Sequence, residues 1–172
     1  CTYYVHGDSE LEGIYEIGDK RLKEIFARDD LTINKSFSGM GNDAIWIEGE
    51  NIKKVEYTAQ NGMMYNWADN NQDKTITLEG KTIYSNDKKV SWLPPNELIT
   101  WMENENTTNK PVDFSTAPQD TITITATYSD GNTATRKLKL YFNQYGYLVT
   151  ETEDGTKYND CELDGYKKWK SN

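Results

Sequence analysis

The stretch DTITITATYSDGNTATRKLKLYF, residues 120–142, decides the fold class of this chain. In its first half isoleucine, alanine and tyrosine alternate with threonine, and in its second half alanine, leucine and phenylalanine keep the same alternation. A period of two predicts a pair of β-strands that each bury one face. The Asp130-Gly131 pair between them tolerates the positive φ angles of a tight turn. We therefore predict a β-hairpin here.

The rest of the chain repeats this pattern of short strand-forming segments separated by glycine, asparagine and aspartate turns. The further strands are predicted at residues 31–37, 44–48, 52–59, 63–67, 75–78, 82–84, 89–92, 145–151 and 156–163. Closely spaced strands with such turns are typical of antiparallel sandwiches and barrels. We predict a mainly β chain with a sandwich-like antiparallel architecture.

Two segments depart from the strand pattern and predict two short helices. Residues 19–28 carry three apolar side chains at i, i+3 and i+4, which is the spacing of a short amphipathic helix. Pro95 suits the first turn of a second helix, predicted at 95–103. The polar segment that follows is the best internal boundary, between an N-terminal β-rich part at 1–103 and a C-terminal antiparallel meander at 104–172. A single compact unit is the alternative.

Composition limits the classes of partner. With 12 tyrosines and 5 tryptophans but only 35% apolar residues, the core should be rich in aromatic side chains. The formal net charge of −9 disfavours nucleic acids and anionic membrane surfaces as ligands. No apolar run approaches the ~20 residues of a transmembrane helix. The Thr-, Asn-, Asp-, Gly- and Tyr-rich strands favour an exported module, so we expect an extracellular or cell-surface location for a piece of a membrane- or wall-anchored parent.

The two cysteines, Cys1 and Cys161, bracket nearly the whole chain. Three interpretations remain open. They form a disulfide that ties the first segment to the last, or Cys1 is the lipidated residue of a lipoprotein, or both are plain thiols. A disulfide would imply an oxidising compartment.

Residues that could carry catalysis are few. His6 is the single histidine, and no serine or cysteine stands in a context typical of a nucleophile. We therefore expect a chain that is not an enzyme and holds no cofactor. The 28 acidic residues leave one alternative, a carboxylate-based glycan hydrolase, for which Glu48, Glu56 and Asp113 are among several unranked candidates.

Asp69, Asn71 and Asp73 place oxygen ligands at alternate positions, the opening spacing of a calcium loop. The rest of that motif fails, because Lys74 stands where the loop needs glycine and Gly80 where it needs glutamate. A polar hairpin loop is the alternative interpretation.

Tryptophans could stack against sugar rings, since aromatic rings bring a large contact area at low entropic cost. In a chain poor in aliphatic residues most of them are needed for the core. Trp67, beside the acidic loop, and Trp101, before the polar segment at 104–110, are the candidates for ligand stacking.

The segment GNDAIWIEGENIKKV, residues 41–55, and the strand signals up to about residue 152 resemble an extracytoplasmic β-rich module of Gram-positive bacterial membrane and surface proteins. Such modules occur in anti-sigma-like regulators and in membrane metallopeptidase sensors. The second half, through its alternation and Asp-Gly turn, resembles bacterial immunoglobulin-like surface repeats. The resemblance implies no catalytic residues, and the zinc motif His-Glu-x-x-His of the metallopeptidases is absent from this sequence.

These observations predict a noncatalytic extracytoplasmic module of a bacterial cell-surface protein. It would bind a wall component, a glycan or a protein, or it would sense or space for its parent. The alternatives are the glycan hydrolase and a purely structural surface domain.

Overall fold

The computed structural model describes residues 21–25, 31–36, 44–49, 51–79, 90–107 and 112–162. In this part of the chain the elements, in order, are β1 (Arg21–Ile25), β2 (Leu31–Ser36), β3 (Ala44–Gly49), β4 (Ile52–Ala59), β5 (Met63–Asn66), β6 (Asn71–Asp73), β7 (Thr75–Glu79), β8 (Val90–Leu93), α1 (Asn96–Thr107), a 3-10 helix (Phe114–Thr116), β9 (Asp120–Tyr128), β10 (Thr133–Phe142), β11 (Leu148–Glu151) and β12 (Lys157–Tyr158).

The strands form two six-stranded sheets. The first has the order β1-β2-β3-β8-β5-β6 and the second the order β12-β11-β10-β9-β4-β7. Neighbouring strands in both sheets pair antiparallel. The prediction of a mainly β, antiparallel chain is confirmed. The second sheet joins β4 and β7 to strands from beyond residue 104, which is compatible with a single compact unit, and the division at residues 103/104 stays a prediction.

The hairpin of residues 120–142 is present as predicted. β9 and β10 pair in register, from Thr133 opposite Thr127 to Leu140 opposite Asp120. Gly131 has a φ of 87° in the turn, the left-handed conformation that glycine adopts without strain. The apolar side chains of both strands are buried, namely Ile122, Ile124, Ala126, Tyr128, Ala134, Leu138, Leu140 and Phe142.

The core is rich in aromatic side chains, as the composition predicts. The largest fully buried side chains include Trp92 and three tyrosines, Tyr57, Tyr128 and Tyr147. Complete burial raises the pKa of Tyr57, because ionising the hydroxyl would place a charge in an apolar environment. Large rings therefore add to the buried isoleucine, leucine and valine side chains of the core.

The predicted helix at residues 19–28 is wrong, because residues Arg21–Ile25 form strand β1. An isolated helix of this length is only marginally stable in water, and three apolar residues are too few to stabilise it. Pairing with β2 over five positions, from Arg21 opposite Ser36 to Ile25 opposite Thr32, gives the backbone partners in a sheet instead. The described part of the chain therefore has one α-helix, where the sequence predicted two.

The second predicted helix is present as α1, and it runs from Asn96 to Thr107 rather than over 95–103. The carbonyl oxygen of Pro95 accepts hydrogen bonds from the backbone N–H groups of Leu98 and Ile99, at 3.0 and 3.3 Å. Strand bounds also differ elsewhere: β11 begins at Leu148, after a turn that the sequence placed within the strand, and β12 covers Lys157–Tyr158 where the sequence predicts a strand at 156–163. The predicted strand at 82–84 lies outside the described residues.

Asp120, the first residue of β9, is a buried carboxylate with four hydrogen bonds. Its Oδ1 accepts from the backbone N–H groups of Asn61 and Thr121, both at 2.8 Å. Its Oδ2 accepts from the backbone N–H of Gly62 at 2.9 Å and from the Trp92 indole N–H at 2.7 Å. Because Trp92 lies in the first sheet and Asp120 in the second, one side chain links the two sheets.

Gly62 passes close to its neighbours at this point. A Cβ atom there would lie 2.2 Å from the carbonyl oxygen of Leu93 and 2.9 Å from Oδ2 of Asp120. We therefore predict that Gly62→Ala lowers the free energy of unfolding by about 3 kcal/mol, because backbone must move to admit the methyl group.

Gly131→Ala is the matched control in chemical or thermal denaturation. Nothing lies within 4 Å of a Cβ at Gly131, whose φ is 87°, so the control carries conformational strain of about 1 kcal/mol and no steric clash. Equal losses in the two variants would contradict the close approach at Gly62.

The turn between β11 and β12 is held by a second aspartate. Asp154 accepts hydrogen bonds from the Thr152 hydroxyl and from the backbone N–H of Thr156, the latter at 2.9 Å. These donors favour the ionised carboxylate, with the Thr152 hydroxyl contributing most, and lower the pKa of Asp154 from 3.8 to about 2.

We predict that carboxyl NMR titration gives Asp154 a pKa of about 2 and that Thr152→Val raises it towards 3.8. Since the folded pKa lies below the unfolded value, the stabilisation by Asp154 is complete above the unfolded pKa and is lost as pH falls through about 2. Thr156→Val should raise the pKa less, because its hydroxyl contributes less. An ordinary Asp154 pKa in the unaltered chain would contradict the turn geometry.

Candidate ligand-binding site

One row of side chains crosses three strands on the outer face of the first sheet. Gln72 on β6 pairs with Tyr65 on β5, and Tyr65 pairs with Ser91 on β8. Directly opposite residues of antiparallel strands share a face of the sheet, so these three side chains stand side by side. Met63 and Leu93 form the next pair along the same face.

Trp67 follows β5 directly and is the exposed large hydrophobic side chain of the described residues, with 45% of its surface accessible. Its indole N–H donates a hydrogen bond to the Ser91 hydroxyl oxygen at 2.7 Å. Its ring meets the Tyr65 ring edge-on, with centroids 5.0 Å apart and planes at 80°. Because Ser91 is itself buried at 1% exposure, the indole has a fixed anchor in the sheet.

The turn after Trp67 explains how the ring is held at the surface. The Asn66 side chain accepts a hydrogen bond from the Ala68 backbone N–H at 3.0 Å and donates one to Asp69 at 3.1 Å. Asn70 has a φ of 53°, a left-handed conformation that asparagine tolerates better than most residues. The Tyr65 hydroxyl donates to the Asn70 side-chain oxygen, so the turn and both rings form one bonded unit.

These residues border an open pocket of about 230 Å³. Among the described residues, its lining consists of Tyr65, Trp67, Gln72, Ser91 and Leu93. We call it the Trp67 pocket. It combines two aromatic rings, one aliphatic side chain, one amide and one hydroxyl, and none of these lining residues carries a charge. Such a surface offers stacking and neutral hydrogen bonds.

Trp101 borders a different pocket, of about 460 Å³, between α1 and the segment before β9. Its lining comprises Asn96, Glu97, Thr100, Trp101, Asn104, Thr116 and Pro118. The Trp101 ring stacks on Phe142 at 5.8 Å and 27°, and its N–H donates to the Thr116 hydroxyl at 2.9 Å. Trp101 is half-buried and covers the core, whereas Trp67 stands on a sheet face. The two candidate tryptophans therefore belong to separate pockets.

The candidate calcium ligands lie in the β5–β6 hairpin. Asn71 and Asp73 are on β6, opposite Asn66 and Met64, so they share the face that is opposite to Gln72. Asp69 accepts from the Asn66 side chain at 3.1 Å, and Asp73 accepts from the Lys74 backbone N–H at 2.7 Å. Within the described residues no group of three histidine, cysteine or acidic side chains could hold a metal ion. Calcium binding stays a prediction.

Cys161 lies near the end of the described residues. The Asn143 side chain holds this end of the chain, since its Nδ2 donates to the carbonyl oxygen of Cys161 at 3.0 Å and to Asp160 at 2.9 Å. Cys1, the other cysteine of the sequence, lies outside the described residues. The Cys1–Cys161 pairing stays a prediction.

The residues considered for catalysis have other roles where they are described. Glu56 contacts the Lys54 ammonium group at 2.9 Å, and this hydrogen bond raises the pKa of Lys54. Asp113 caps the 3-10 helix by accepting from the Ser115 backbone N–H at 3.1 Å. His6 lies outside the described residues, and the Glu48 side chain is not described.

The sequence identified Trp67 as a candidate but missed Tyr65, Gln72, Ser91 and Leu93. The alternation in β5 and β8 could place Tyr65 with Trp67 on one face, and Ser91 with Leu93 on another. The alternation could not show that these two sets of side chains form one surface. That depends on the register between β5 and β8, which are distant in sequence. The sequence predicts a loop that contains Gln72, whereas in the structure Gln72 lies on strand β6 of the first sheet.

Comparison with protein families, curated proteins and solved structures finds no match for this chain. No helix in the described ranges is long and apolar enough to span a membrane.

Proposed function

We propose that this chain is a noncatalytic, extracytoplasmic binding module of a bacterial cell-surface protein, and that it binds a glycan on the Trp67 pocket. The observation that carries the proposal is the exposed, anchored indole of Trp67. Trp92 is buried, with 1% of its surface exposed, whereas Trp67 has 45% of its surface exposed. The exposed ring of Trp67 contributes less hydrophobic stabilisation than a buried ring would. A ligand that covers the ring would recover the difference.

The chemistry of the pocket favours a sugar over a purely apolar ligand. The C–H face of a pyranose packs on an aromatic ring, while its hydroxyls need neutral donors and acceptors around the rim. Gln72 is exposed beside the two rings and supplies both kinds of group. The anchor between Trp67 and Ser91 lowers the entropic cost of binding, because the ring is already oriented.

An exported location fits the remaining features. We propose that Cys161 forms a disulfide with Cys1, a bond that persists in oxidising compartments. The acidic surface, with a formal charge of −9, makes nucleic acid a poor ligand and leaves glycans and proteins. The resemblance of the sequence to extracytoplasmic modules of Gram-positive bacteria supports a surface-anchored parent. We propose further that the two sheets form a sandwich, with an immunoglobulin-like second half.

The test is binding to a panel of soluble neutral oligosaccharides and solubilised cell-wall fragments, by calorimetry and tryptophan fluorescence. We predict that at least one glycan binds and that Trp67→Ala weakens it about 30-fold or more, as truncation of a central tryptophan does at binding sites. Trp67→Phe, which keeps a flat ring but loses the bond to Ser91, should bind with an affinity between those of the unaltered chain and Trp67→Ala.

Thermal unfolding of each variant serves as the folding control, since Trp67 is exposed and its replacement should leave the core intact. Absence of binding across the panel, or unchanged affinity in folded Trp67→Ala, would contradict the proposal and would favour the structural or spacer role.

A further inference from the structure

The hydrogen bonds of the Trp67 pocket restrict what its ligand can be. The Trp67 indole N–H donates to Ser91, and the Tyr65 hydroxyl donates to Asn70. Both aromatic residues thus direct their polar groups into the protein. A ligand then meets the rings chiefly through their π surfaces, which attract C–H groups and cations and repel anions.

The charges around the pocket act in the same direction. Among the described residues, the lining formed by Tyr65, Trp67, Gln72, Ser91 and Leu93 includes no cation that could pair with an anionic ligand. Asp69 follows Trp67 by two positions in the same hairpin, and the whole chain has a formal charge of −9. A carboxylate or phosphate placed here would lose water and gain no charged partner among the described lining residues, which is unfavourable.

The size of the pocket limits how much of a ligand it can hold. Its volume of about 230 Å³ is below the range of about 300–1,000 Å³ that is usual for drug-sized ligands. This space suits a single sugar ring better than several linked rings of a glycan.

We infer that the Trp67 pocket takes one uncharged pyranose ring, stacked on Trp67, and that the Gln72 amide determines specificity by hydrogen bonding to its hydroxyls. This inference rests on the proposed glycan-binding function. Gln72 pairs directly with Tyr65 and its side chain is exposed. It can therefore contact a ligand at the rim of the pocket while β6 stays paired with β5. An amide offers a donor and an acceptor at once, which suits neighbouring hydroxyl groups, whereas a carboxylate only accepts and could use the N–H donors alone.

The experiment compares the neutral oligosaccharides that bind with counterparts that carry a uronic acid or a phosphate on the terminal ring. We expect the charged counterparts to bind at least tenfold more weakly. Affinity for the neutral ligand should stay constant between about 0.05 and 0.5 M salt, because no ion pair is screened. Gln72→Ala should weaken neutral-ligand binding about tenfold, the effect of one or two lost hydrogen bonds.

Gln144→Ala is the matched control, since Gln144 is exposed in the turn between β10 and β11 and borders neither pocket. Trp67-dependent binding that prefers charged glycans, falls with salt, or ignores Gln72→Ala would overturn this inference while leaving the glycan-binding function in place. Absence of Trp67-dependent binding to every glycan would overturn both.

Discussion

The structure depends on one buried carboxylate, that of Asp120. At 3% exposure a charge of this kind is destabilising unless hydrogen bonds replace its lost water, and Asp120 has four. Two of these hydrogen bonds come from the backbone of the β4–β5 turn and one comes from Trp92 on β8. The fourth comes from the backbone N–H of Thr121, the residue that follows Asp120. Hydrogen bonds to a charged acceptor are stronger than neutral ones, so this side chain is well suited to link elements that are distant in sequence.

The same carboxylate positions the candidate site. Gly62 lies against both Asp120 and the carbonyl oxygen of Leu93, directly before β5 begins at Met63. Trp92, the other partner, stands between Ser91 and Leu93 on β8. The alignment of β5 with β8 therefore begins at this contact and extends along the sheet to the pair of Tyr65 with Ser91. The inner face of these strands binds Asp120, and the outer face carries the Trp67 pocket.

Local sequence pattern predicted most of the elements and the exposed Trp67, but not strands β1 and β6, whose pairing depends on contacts with other strands. The 120–142 hairpin was predictable because its alternation and its turn are adjacent in sequence. The sequence of residues 21–25 predicts a helix because its apolar residues have a weak helical spacing. Pairing with β2 outweighs that spacing, and the segment's own sequence does not show this pairing. Asp120 was identified only as the start of a strand. Its four donors come from residues up to 59 positions away or from its direct neighbour, so the sequence offered no sign of its role.

The most direct test of this account is the free energy of unfolding of Asp120→Asn, measured by chemical denaturation beside the exposed control Asp73→Asn. Each carboxylate oxygen of Asp120 accepts two hydrogen bonds, so in either orientation the asparagine NH₂ group would face two N–H donors. We predict a loss of about 3 kcal/mol or more for Asp120→Asn, since two N–H donors that are buried or partly buried lose their acceptor. We predict a change within about 0.5 kcal/mol for Asp73→Asn, as for most surface substitutions. A loss at Asp120 as small as that of the control would contradict the claim that this carboxylate holds the two sheets and the site together.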